Sequence, residues 1–327
     1  MSSQRNPSEV GDAWPPHGYL VDPKWISLTI FGRPLSASVP SGGRPAEQCS
    51  PSGSDRFLCA VKPCPLSGAG SARPAAVQQD GQVANDSHSP TLQTDPADAI
   101  AAVNDATARL IVAVDTVRST GPDAFAAPSL LPDWTIGHVV SHLARNADGF
   151  RNVLDGLAVG ELRTPYPSPE ARIAGIESGA QRDTAAIAAD FAAAVRQLAD
   201  QLAATPAQTW SATVDLGRGG PTTADVIMAA RLGEVELHHH DLGADGGLAL
   251  LDDARALELL QALLRSYVRT RAVGDMVLEP DGADPVVIGD GGPRVAGSAV
   301  DLVGWLSGRQ DGTALRVAGS LPELPSW

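Results

Sequence analysis

The sequence predicts an α+β protein in three parts: a disordered N-terminal segment over residues 1–93, a four-helix bundle over 94–247, and a small α+β domain over 248–327. Three observations carry this. Thirteen of the 26 prolines fall within residues 1–96, in clusters such as Ser38-Val39-Pro40-Ser41-Gly42-Gly43-Arg44-Pro45. From Asp95 the chain turns into long alanine-rich stretches with apolar residues at helical spacing. Beyond about residue 275 it breaks into short β-prone pieces separated by Gly-rich turns. The first segment offers a single strand-like piece, Trp25 to Phe31, and one strand without partners is not stable.

Asp95-Pro96 caps and opens a first helix to about Val117, with Ile100, Val103, Ala106, Leu110, Ile111 and Val114 on one face. Leu131-Pro132-Asp133-Trp134-Thr135 is a turn that ends in an N-cap threonine, and the second helix runs from there to about Leu157. A third helix is expected from Glu170 to about Ala204, ended near Pro206. Thr222 or Thr223 is expected to cap a fourth, Ala224 to Leu242, which Gly243 stops as a left-handed residue. After it come a helix from Asp252 to about Thr270, three strand-like pieces (Met276–Glu279, Val286–Ile288, Arg294–Ala296), a helix over Ala299–Leu306 begun by Ser298, and a last strand near Leu315–Val317.

Composition narrows the function. Residues 97–327 contain no lysine and carry a net charge of −13, which disfavours nucleic acid and anionic membranes as partners. No apolar run approaches the roughly 20 residues that span a bilayer, and the N-terminus lacks a signal-peptide pattern, so a cytoplasmic protein is expected. The three cysteines, Cys49, Cys59 and Cys64, have no C-x-x-C spacing and all precede the bundle. A thiol chemistry in the folded part would therefore need a thiol from a small molecule.

Five of the seven histidines lie in two segments, Trp134 to Asn146 and Arg231 to Leu242. Glu234 and His238 stand four residues apart, so a helix puts both on one face, one turn apart. His142, from a separate helix, can complete a three-ligand N/O set, and three protein ligands with an open fourth position describe a catalytic zinc site. His239 and His240 point about 100° and 200° away from His238 and are read as bystanders. Glu236 with His240 repeats the same spacing as a decoy. His138, one turn before His142, suits either a supporting or a purely structural role. Arg145 and Arg231 are candidate anion anchors for a bound cofactor, because guanidinium grips carboxylates in bidentate fashion; Arg231 also fits a plain i,i+3 ion pair with Glu234. Trp134 and Trp305 read as core.

The segments L-P-D-W-T-I-G-H-V-V-S-H-L-A-R-N-A-D-G, R-L-G-E-V-E-L-H-H-H-D-L-G and V-A-G-S-A-V-D-L-V-G-W-L-S-G-R resemble the mycothiol-dependent maleylpyruvate isomerase family over about residues 95–327. The resemblance implies a DinB-like metal-binding four-helix bundle joined to a small C-terminal α+β domain, with His142, Glu234 and His238 as metal ligands. It implies catalytic roles for Asp241, three residues after the ligand histidine, and for Arg309, the arginine of W-L-x-G-R, which also fits a helix-end cation. Its cofactors would be a divalent metal, zinc by the donor set, and mycothiol; its partner would be a small dicarboxylate. The reaction would be cis–trans isomerisation: a thiolate adds to the conjugated double bond, the single bond rotates, and elimination restores the alkene. The same ligands would serve a mycothiol S-transferase acting on electrophiles, or a zinc-binding regulatory or scaffold protein without turnover. The sequence leaves the oligomeric state open.

Overall fold

The computed structural model describes residues 95–325 apart from 218, 269, 270 and 272, so the expectation of disorder over 1–93 lies outside the described residues. Helix α1 (Pro96–Arg118) starts where Asp95 accepts a hydrogen bond from the Ala97 amide at 2.8 Å, with proline at the first helical position. It buries Val103, Ala106, Leu110, Ala113 and Val114 against α4 (Thr184–Ala204) and α5 (Val226–Asp241). Helix α2 (Ile136–Ala158) opens on a reciprocal cap: Thr135 Oγ1 accepts from the His138 amide at 3.3 Å, and His138 Nδ1 accepts from the Thr135 amide at 3.2 Å. Its apolar face, including Val139, Val140, Leu143 and Phe150, packs on α4 and on α3 (Pro169–Ala180).

The long third helix expected over 170–204 is two helices, α3 and α4. Asp183 starts the second of them by accepting from the Ala186 amide at 2.8 Å. At the end of the first, Gly179 lies so close to α2 that a Cβ there would stand 2.8 Å from Ser141. Alanine favours helix on both sides of the break and hides it; the capping aspartate marks it.

Thr222 and Thr223 also differ from expectation. They form a short strand β2 (Thr222–Thr223) paired antiparallel with β1 (Thr213–Val214), and α5 begins after them at Val226. The residue before it, Asp225, makes no side-chain cap; its carboxylate accepts from Thr223 and pairs with Arg265 instead. Helix α5 is buried on nearly every side and contacts α1, α2 and α6 (Asp253–Leu263). Gly243 ends it with φ +67°, a conformation in which glycine avoids the Cβ penalty.

Beyond α6 the chain forms one π-helical turn, Leu264–Val268, where a longer α-helix was expected. A four-stranded sheet follows, in the order β4-β3-β5-β6: β3 (Met276–Pro280), β4 (Val286–Ile288), β5 (Arg294–Gly297) and β6 (Arg316–Val317). Only the β3–β5 pair is parallel, with Leu278 opposite Val295. Helix α7 (Ala299–Leu306), capped by Ser298, lies against β3 and β5 and also packs on α6, burying Leu302, Val303 and Leu306. That packing fixes where the chain emerges at Arg309. No helix among the described residues is long and apolar enough to cross a membrane.

Candidate metal centre

Helices α2 and α5 bring His142, Glu234 and His238 together. His142 Nε2 stands 2.8 Å from Glu234 Oε2, and His238 Nε2 stands 3.4 Å from the same oxygen. One donor atom from each residue lies within 4.8 Å of the other two. Ligands about 2.0–2.1 Å from a tetrahedral ion are roughly 3.3 Å apart, so these separations suit a zinc-sized cation. The imidazoles meet edge to face with centroids 4.7 Å apart, and Trp134 covers His142 from 5.8 Å.

Charge is distributed to match. Burial drives His142 down to about 3 despite Glu234 nearby, so its ring is neutral near pH 7. Burial alone would raise Glu234, but the two imidazoles outweigh it and hold the carboxyl well below its ordinary value. His238 is raised, because hydrogen bonds with Asp241 and Glu234 overcome the effect of burial. Asp241 is itself held below the usual carboxylate range: Arg309 and His238 outweigh its desolvation.

A buried carboxylate stands behind His238. Asp241 Oδ2 accepts from His238 Nδ1 at 2.8 Å, which leaves Nε2 facing the cluster. Arg309 grips Asp241 in bidentate fashion, Nη2 to Oδ2 at 2.7 Å and Nε to Oδ1 at 3.2 Å, and Nη1 donates to the Ser307 carbonyl at 2.8 Å. The turn that aims it contains Gly308 at φ +69°. Arg309 thus reaches the centre through Asp241.

The two other sequence candidates sit elsewhere. Arg145 lies outside the pocket lining and pairs with Asp190 at 2.9 Å and Asp148 at 3.0 Å. Arg231 is 1% exposed and donates Nη1 to Asn146 Oδ1 at 2.6 Å and to the Leu143 carbonyl at 3.1 Å, tying α5 to α2. Burial lowers it to about 10, which still leaves it charged near neutral pH. Among the remaining histidines, His138 is occupied with capping α2, and His239 pairs with Asp245 at 3.0 Å. The decoy does not assemble: Glu236 pairs with Arg109 across to α1.

A pocket of about 380 Å³ opens on the cluster. His142, Glu234 and His238 line it together with Trp134, Phe150, Tyr166 and Tyr267 and three arginines, Arg172, Arg271 and Arg309. Its walls come from α2, α5, the Pro-rich segment 164–169, and Leu263, Ser266, Tyr267 and Arg271 with Arg309. Trp134 and Trp305 are both buried as expected, but Trp134 also faces this pocket. Sequence reasoning missed Arg172, Arg271 and the two tyrosines. For Arg172 a signal existed: with Ile176 and Gly179 it forms the buried face of α3, and an arginine on such a face needs a partner.

Residues 113–243 match the family model of the mycothiol maleylpyruvate isomerase N-terminal domain. The span contains all three clustered candidate ligands and Asp241, while Arg309 lies beyond it. Two solved structures, the mycothiol-dependent maleylpyruvate isomerase and a histidine-to-alanine mutant of it, superpose with a TM-score of 0.61 at 24% identity. Each comparison covers 72% of this chain and 98% of the other, so the likeness extends over the C-terminal sheet as well as the bundle. The α+β architecture with a DinB-like bundle is thereby shared with the mycothiol-dependent maleylpyruvate isomerase fold. No curated protein matches the chain significantly.

Proposed function

We propose that the chain is a mycothiol-dependent cis–trans isomerase of maleylpyruvate-type substrates. The observation that carries this is the His142–Glu234–His238 set, its histidines buried and Glu234 half-buried, facing a pocket of about 380 Å³ and braced from behind by Asp241 and Arg309. A zinc ion held by these three side chains would bind the mycothiol sulfur and keep it deprotonated near neutral pH, ready to add to and leave the substrate double bond.

The protein's own contribution is positional and electrostatic. Asp241 holds the Nδ1 proton of His238, so that Nε2 presents its lone pair. Arg309 keeps Asp241 ionised and fixed, which makes it a positioning residue for the metal ligand. The aromatic walls lower the polarity around the reacting bond, which strengthens charge interactions there. Arg231 braces the two ligand-bearing helices, and Arg145 anchors α2 to α4 through Asp190; neither needs to touch the cofactor.

The test is incubation of zinc-loaded protein with mycothiol and a panel of electrophiles including maleylpyruvate, with products resolved by chromatography. Conversion of maleylpyruvate to its trans isomer without net thiol consumption is expected. Stoichiometric thiol conjugates with other electrophiles and no isomerisation would instead identify an S-transferase. No reaction at all would leave a zinc-binding protein without turnover.

A further inference from the structure

We propose that Arg172 is the carboxylate receptor of this pocket, and that occupation of the metal site turns it toward its ligand. The inference rests on the metal-centre reading above and goes beyond it by assigning the group that recognises a small carboxylic acid.

Arg172 is 6% exposed, on the buried face of α3, and lines the same pocket as the three candidate ligands. Its Nη2 lies 3.3 Å from His142 Nδ1, and its Nη1 is buried with no hydrogen-bond partner. A buried guanidinium nitrogen without an acceptor is costly, so its persistence calls for an explanation. Guanidinium only donates, so Nδ1 must accept; the single proton of the neutral His142 ring then sits on Nε2 and is donated to Glu234.

A cation on Nε2 reverses this. The neutral ring must then carry its proton on Nδ1, and two donors would face each other across 3.3 Å. Arg172 loses its acceptor while Nη1 still has none. The guanidinium is left with two parallel donors seeking a planar anion, and a carboxylate fits that fork in bidentate fashion. The Tyr166 ring, 5.9 Å from the guanidinium carbon, gives the turning group a face to rest on. The other lining cations are engaged differently: Arg309 holds Asp241, and Arg271 stacks over Tyr267 at 5.2 Å. The ligand class is therefore a small carboxylic acid whose remaining atoms extend toward the metal site.

The experiment titrates maleate into the full-length chain by calorimetry, with zinc content measured first. Wild type, Arg172→Gln and Arg172→Lys are compared, each zinc-loaded and metal-free. Zinc-loaded wild type is expected to bind maleate at least ten-fold more tightly than zinc-loaded Arg172→Gln, with Arg172→Lys between them and zinc content equal in all three. In the metal-free proteins the difference between wild type and Arg172→Gln should shrink to under three-fold. Equal maleate affinity in zinc-loaded wild type and Arg172→Gln overturns the proposal. Should Arg172→Gln fail to fold or to hold zinc, Arg172→Lys decides: wild-type maleate affinity in that variant also overturns it. A wild type that takes up no zinc fails at the first measurement, which overturns the metal-centre reading and this inference with it.

Discussion

Replacing Asp241 by asparagine separates the two tasks its carboxylate performs. Its oxygens accept from His238 Nδ1 and, twice, from Arg309, and all three side chains are largely covered. Asparagine keeps the shape but has one acceptor oxygen and one donor nitrogen. If the nitrogen faces His238, the imidazole proton moves to Nε2 and blocks the lone pair needed for zinc. If it faces Arg309, two donors collide. Loss of such a partner behind a ligand histidine typically costs about 10–100-fold in metal affinity. Leaving Arg309 buried without its counter-charge adds a stability loss of roughly 3 kcal/mol, the low end of the range for a broken buried pair. In a folded part of this size that lowers the metal-free melting temperature by about 6–12 °C. Competition with a chromogenic chelator measures the first effect, and calorimetric melting of the metal-free protein the second. The double variant Asp241→Asn/Arg309→Met should recover most of the melting temperature and part of the zinc affinity, since without Arg309 the amide is free to turn its oxygen to His238 Nδ1. Wild-type zinc affinity in Asp241→Asn would refute the link from Asp241 through His238 to the metal.

Other expectations follow from the same geometry. His142→Ala, Glu234→Ala and His238→Ala should each lose most bound zinc, whereas His240→Ala and Glu236→Gln should retain it, as elemental analysis of dialysed protein can show. Zinc affinity should rise with pH through the raised range of His238, because coordination at Nε2 must displace the proton that Asp241 and Glu234 favour there; a flat profile between pH 6 and 8 would contradict it. Metal-free stability should fall on acidification below about pH 4. Glu234 and Asp241 are held below their ordinary values, so they bind fewer protons folded than unfolded, and that advantage disappears as pH drops toward their folded values. Phe191→Ala, at a position 1% exposed in the core, should cost about 3–5 kcal/mol by denaturant titration with zinc affinity kept.

The sequence exposed those parts of the site that depend on local geometry. Glu234 and His238 were legible because helix spacing alone places them together, and Thr135 and Asp95 because cap chemistry is local. His142 became a partner only through co-occurrence with that pair and through motif resemblance, since no local rule links residues 92 positions apart. Arg145 and Arg231 have the chemistry of anion anchors, but chemistry does not set where a side chain points: Arg145 turns toward Asp190, and Arg231 turns inward. Arg172 is hidden by the alanine-rich spacing that makes α3 and α4 look like one helix. Within that longer frame nothing showed that one short face carries an arginine among buried residues. The hairpin of β1 and β2 was similarly hidden, because two-residue strands leave almost no periodicity to detect.

One consequence of Arg231 concerns mechanical tolerance. Two of the three candidate ligands and their supporting aspartate ride on the same four-turn helix, so their mutual arrangement is set by helix geometry and is almost incompressible. The third rides on α2. The whole site therefore has essentially one adjustable dimension, the gap between α2 and α5, and Arg231 bridges that gap with its bonds to Leu143, next to His142, and Asn146, one turn after it. Its length acts as a gauge. A shorter side chain at this position would leave every ligand in place in the sequence and on its helix, yet alter the bite of the site and hence which ion radius it accepts.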